Sequence, residues 1–348
     1  MYTLFEKVKG RSLDNSCRPS SKRAHIQSYA KHAITLSNCK FHGVGSFDGI
    51  NLNGNVVNTR VGLAPGSPSF GGPFQSLKDM YFHNLDNILK AIRNGTIYRD
   101  RPLFEYLAHL EVKDWLMNDK SMDLDEDGTY LWHPDSHSDN NMMIGEDQEI
   151  SSMIDWQGYA LYSSPLAHAD GYRAITMPKA VAFGGPEWMW GAGPLWDPTN
   201  ALSNDERYLR ECYILNGRQD LADCVNEGRI HQRLNCFIGG GLGYKESRLH
   251  QLRCIETLLH TQPVDHEWED EAAWIARAMD RHSQDPYLDD IIRFENAKIT
   301  GRLPQLRYQF ISNATLLAIL EGVSIIRHGI RGAFKVVKSW GGGGIALA

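Results

Sequence analysis

Leu131-Trp132-His133-Pro134-Asp135-Ser136-His137-Ser138-Asp139-Asn140, with Ile154-Asp155-Trp156-Gln157 further along, is the stretch that decides the fold class. Phosphoryl transfer to a hydroxyl needs one carboxylate to orient and accept the proton, an amide a few positions on, and a second carboxylate that shares the metal ions. Asp135, Asn140 and Asp155 supply that set. Thr129 to Trp132 reads as a short strand entering a polar loop, which leaves through apolar Met142-Met143-Ile144. Gly145-Glu146-Asp147-Gln148 reads as a turn, and Ile150 to Ile154 as the returning strand of a hairpin. The expected hairpin thus carries Asn140 at one end of its chain and Asp155 at the other.

These residues resemble the aminoglycoside phosphotransferase (choline-kinase-like) superfamily, and most closely its fungal branch related to the altered-inheritance-of-mitochondria proteins. Members of that branch typically read Leu-Trp-His-x-Asp-Leu-His-x-x-Asn, and Ser136 stands here for the usual Leu. Phe5-Glu6-Lys7-Val8-Lys9-Gly10 is similar to the branch's hinge, and Gly45-Ser46-Phe47, Gly72-Pro73-Phe74 and Ser164-Pro165-Leu166 extend the likeness over about residues 1 to 180. The resemblance implies an α+β, mostly helical fold: a protein-kinase-like large (C-terminal) lobe. It implies ATP and Mg²⁺ as cofactors and a small-molecule hydroxyl as acceptor. Asp135 becomes the catalytic base, Asn140 and Asp155 the metal ligands, and His137 a further cofactor contact. A base of this kind contributes roughly 10² to 10⁴ in rate.

A kinase also needs a small lobe carrying a Gly-rich loop and a strand Lys paired with a helix Glu. Only three residues precede Leu4, so the small lobe is expected to be missing and the chain to be truncated or weakly active, a pseudokinase candidate. The expected organisation is a hinge remnant at 1–10, a large lobe at 11–300 with its catalytic core at 129–157 and acceptor-side helices at 180–300, and a C-terminal helix with a Gly-rich tail at 301–348. Two other classes stay open. One is a non-catalytic interaction protein built on the same lobe. The other is a metal-dependent hydrolase using His133, Asp135 and His137, which would need three ligands converging around an open position.

Composition narrows the field. A chain of 348 residues, 42% hydrophobic, buries a sizeable core. Net charge −6 with scattered Lys and Arg argues against a nucleic-acid partner, because phosphate neutralisation asks for clustered cations. The six cysteines form no C-x-x-C pair and read as reduced and structural, as in an intracellular protein, cytoplasmic or mitochondrial. No targeting segment is readable, and the longest late apolar run, Ala314 to Leu320, is too short for a membrane span.

Helices are expected from Ser20 or Ser21 to Ser37, from Ser76 to Ile92 with Asn94-Gly95 as the stop, and from Leu103 to Met117. Further helices are expected over Asn204–Leu215, Ser247–Gln262, Glu267–His282 and Tyr308–His328. Residues 48 to 75, rich in Gly, Asn, Pro and Ser, read as a long surface loop. Asp123 to Gly128 begins like a calcium loop but puts Pro134 at its twelfth position. Glu187-Trp188-Met189-Trp190 and Trp196 read as packed core ahead of an acceptor pocket.

Overall fold

The structure is a computed structural model that describes residues 10–12, 19–50, 56–59, 72–119, 128–133, 142–147, 149–153, 175–186, 189, 195–238, 247–259 and 270–299. It is mostly helical with small sheets, an α+β arrangement. The chain divides into two compact units, Met1–Ile292 and Arg293–Ala348. The second is described only over 293–299. The expected helix at Tyr308–His328 and the tail lie outside the described residues, as do residues 123–127.

Helix α1 spans Pro19–Leu36. It starts one residue before the expected serine cap, since a proline's fixed φ and missing N–H suit the first helical turn. Helix α2 spans Leu77–Arg93, and Ser76 Oγ accepts from the Asp79 N–H at 3.0 Å, satisfying one of the orphan donors at a helix start. Asp79 in its first turn and Lys90 and Arg93 in its last complement the helix dipole. Its buried face, Leu77, Met80, Tyr81, Leu85, Ile88, Leu89 and Ile92, repeats at three and four residues and packs on α3, Pro102–Asn118. Gly95, at φ 64, then turns the chain.

Two small antiparallel sheets sit beside these helices. Strands β1 (Arg11–Ser12), β5 (Met142–Ile144) and β6 (Ile150–Met153) form one, in the order β1-β5-β6. Strands β2 (Gly45–Ile50), β3 (Val56–Thr59), β4 (Thr129–Trp132) and β7 (Ile175–Pro178) form the other, in the order β3-β2-β7-β4. The β2–β3 hairpin corrects the reading of 48–75 as loop throughout: its backbone pairs from Ser46↔Thr59 to Ile50↔Val56. Turn-forming composition hid strands whose pairing is with each other and with β7.

After β7 come α4 (Lys179–Phe183), α5 (Asn204–Leu215), α6 (Gln219–Ile238), α7 (Arg248–Leu259), α8 (Glu271–Arg281) and α9 (Leu288–Ile299). Helices α5, α7 and α8 match expected ones, with α8 capped by Asp270, whose side chain accepts from the Ala273 N–H at 2.8 Å. Helices α4, α6 and α9 were not expected. Helix α6 is the buried centre: it packs on α4, α5 and α7 and buries Leu221, Val225, Leu234 and Phe237 with Arg229 and Arg233. Of the aromatic run, Met189 and Trp196 are described, and both are buried in the same core. No helix among the described residues is long and apolar enough to cross a membrane.

At the α4–α6 crossing the backbones nearly touch. A Cβ on Gly228 would lie 2.5 Å from the Ala180 carbonyl oxygen and 3.0 Å from Gly184 Cα. Both obstacles are backbone, so α4 itself would have to move. Gly228→Ala is therefore expected to destabilise by about 1–3 kcal/mol, although alanine is intrinsically the better helix former by about 1 kcal/mol. Urea unfolding checks this. A stabilised variant would mean that the two helices do not approach so closely.

Candidate functional site

Strand β4 ends at a cleft. Leu131, Trp132 and His133 form one wall, Met153 of β6 a second, Tyr29, Ala33 and Leu36 of α1 a third, and Ala182, Phe183, Gly185 and Pro186 the last. Its free volume is about 20 Å³, room for about one water rather than a substrate. His133 is buried at this wall.

Asp135, His137, Asn140 and Asp155 themselves lie outside the described residues. Their neighbours in sequence do not. His133 stands two positions before Asp135, Met142 two after Asn140, and Met153 two before Asp155. Met142 and Met153 are register partners in the β5–β6 hairpin, and Met153 shares the cleft with His133. The expected hairpin is thus present, with Gly145 N–H bonded to the Glu149 carbonyl at 2.9 Å across its turn. Among the described residues no group of three or more His, Cys, Asp or Glu gathers as a metal site. Of the alternative ligand set His133, Asp135 and His137, only His133 is described.

The electrostatics at the base of β7 are settled by pairing. Lys179 Nζ lies 2.7 Å from Asp220, and Arg218 binds the same carboxylate through Nε at 2.8 Å and a terminal nitrogen at 2.9 Å. Those bonds, Arg218's first, hold the Asp220 carboxyl well below the usual range. Burial alone would lower Lys179, but the bond and charge of Asp220 outweigh it and raise it. The described cysteines, Cys39, Cys212, Cys224, Cys236 and Cys254, are free thiols, and burial pushes Cys224 up to about 12. Such a thiol is packing material rather than a nucleophile.

Sequence reading missed the buried polar framework that joins the helices of the core. Glu206 of α5 binds Arg229 of α6 with both groups fully buried, and its carboxylate also accepts from the Ser203 N–H at 2.7 Å. Ser203 Oγ in turn accepts from the Glu206 N–H at 3.1 Å, a capping box whose Ser-x-x-Glu signature stands in the sequence. Arg233 donates to the carbonyls of Leu195, Cys254 and Asp197, and burial lowers it to about 10. Glu105 of α3 takes Arg248 of α7 at 3.0 to 3.3 Å, while the guanidinium lies 3.8 Å over the Phe237 ring. Comparisons with protein-family models, curated proteins and solved structures gave no match.

Proposed function

We propose that this chain is the large lobe of a protein-kinase-like phosphotransferase of the aminoglycoside-phosphotransferase type, which moves a phosphoryl group from ATP to a small-molecule hydroxyl with Mg²⁺. The observation that supports it is the convergence of His133, Met142 and Met153, each two positions from one of the three chemistry-bearing residues. Asp135 orients the acceptor hydroxyl and takes its proton. Asn140 and Asp155 hold the metal, and His137 contacts the phosphates. Carboxylate and amide oxygens are the hard ligands that Mg²⁺ accepts, so the donor set fits the ion. Bound Mg²⁺ supplies charge that offsets the negative charge of the transferring phosphoryl group.

Calorimetric titration of the chain with Mg-ATP tests this reading. Asp155→Asn, which removes a ligand charge, is expected to weaken Mg-dependent binding about tenfold or more. Asp135→Asn is expected to leave binding in place and stop turnover. Mg-ATP affinity unaffected by Asp155→Asn would overturn the assignment.

A further inference from the structure

Strand β6 lies at the edge of its sheet, where backbone N–H and C=O groups are left without a neighbouring strand. At Ile150 both are taken by side chains of α1. Ser28 Oγ accepts from the Ile150 N–H at 3.0 Å and donates to the Ile150 carbonyl at 3.2 Å. His32 Nε2 lies 2.7 Å from that same carbonyl, as its second donor. Ser28 and Ile150 are 2% and 3% exposed, so water does not substitute readily for either bond. Beside them Lys31 reaches Glu149 at 2.9 Å, an exposed pair that adds little.

The same helix continues to the other end of the hairpin. Tyr29, Ala33 and Leu36 share the cleft with Met153, three residues along β6 from Ile150. One helix therefore meets the hairpin at its turn through polar bonds and faces its open end across the cleft. The opposite edge is held too. Strand β1 pairs Arg11 with Ile144 and Ser12 with Met143, and Gly10, at φ +123, sits so close that a Cβ there would be 2.5 Å from the Ile144 carbonyl oxygen.

We propose that Ser28 and His32 are positioning residues that, through Ile150, hold the β5–β6 hairpin in the place its metal-binding end requires. The metal part rests on the phosphotransferase reading, whereas the clamp rests on the geometry of α1 and β6 alone. Removing the hydroxyl of Ser28 leaves the buried Ile150 N–H without that acceptor and the Ile150 carbonyl with His32 as its remaining side-chain donor, so the hairpin opens more often while helices elsewhere do not.

Hydrogen exchange on the full chain, with Mn²⁺-ATP binding followed by electron spin resonance, tests this. In Ser28→Ala, exchange of the amides from Met142 to Met153 is expected to rise about tenfold or more, with α2 and α3 unchanged. Mn²⁺-ATP affinity should fall in parallel. Ser28→Thr, which keeps the hydroxyl, should restore both, and His32→Gln, which keeps an N–H donor, should be milder than His32→Ala. Unchanged hairpin exchange, or an equal rise throughout the chain, overturns the clamp. Raised hairpin exchange with Mn²⁺-ATP affinity left at the wild-type value overturns the positioning role. A wild-type chain that holds no Mn²⁺-ATP overturns the phosphotransferase reading and that role with it, while the exchange data still decide the clamp.

Discussion

Glu206→Ala is expected to destabilise the fold by about 3–5 kcal/mol, because it removes the carboxylate that binds the fully buried Arg229 guanidinium. Two charges inside a protein are costly to desolvate, and their mutual attraction offsets that cost only while both are present. The same substitution strips the Ser203 N–H of its acceptor and opens the α5 capping box. Urea unfolding of the purified chain measures the loss. Replacing both partners, Glu206→Leu with Arg229→Met, should recover most of it, since the pair's worth is mainly the avoidance of an unpaired charge. A single-variant loss below about 1 kcal/mol would show that water reaches Arg229.

Acid is expected to weaken the protein between pH 6.5 and about 4. His109 of α3 and His231 of α6 are both buried, and burial lowers each to about 4 from an ordinary value of 6.5. For His109 the nearby Glu105 charge acts in the opposite direction but does not prevail. Its Nδ1 lies 2.6 Å from the Glu105 carbonyl, while Nε2 has no hydrogen-bond partner and the ring packs 5.1 Å from Phe237. A proton arriving at Nε2 would be buried without an acceptor. In this window the unfolded chain binds protons that the folded chain refuses, so stability is present above pH 6.5 and is lost as pH falls towards about 4. The drop corresponds to about 3 kcal/mol for each histidine. Unfolding free energies measured across the range check the slope. His109→Gln should roughly halve it, whatever it does to stability at neutral pH, and an unchanged slope would mean that His109 is solvated.

Elements that carry their own signals were legible. Helix α2 announces itself through the Ser76 cap, a stripe at helical spacing and Asn94-Gly95 at its end, all of which are local chemistry. The β5–β6 hairpin was readable for the same reason, with its turn bounded by short apolar runs. Helix α6 was not. Its buried residues include charged and polar ones, so no single apolar face repeats, and Arg229, His231, Gln232 and Arg233 look like a solvated surface until their partners are known. Gly228 in its middle reads as a breaker, whereas its role is to let α4 approach. The β2–β3 hairpin was hidden in similar fashion by residues that favour turns.

By itself the sequence determined the kinds and spacings of the residues proposed for chemistry, Asp135, Asn140 and Asp155, because a loop and a hairpin fix such spacings locally. It also determined where α2 and α5 begin and end. Only the tertiary structure decided that Ser28 meets Ile150 across 122 positions, that Glu105 takes Arg248 across 143, and that the interior of α6 is charged. Caps and periodicity act between residues a few positions apart. Burial, and the partner that makes a buried polar group tolerable, depend on contacts between distant segments, and no local pattern along the chain encodes them.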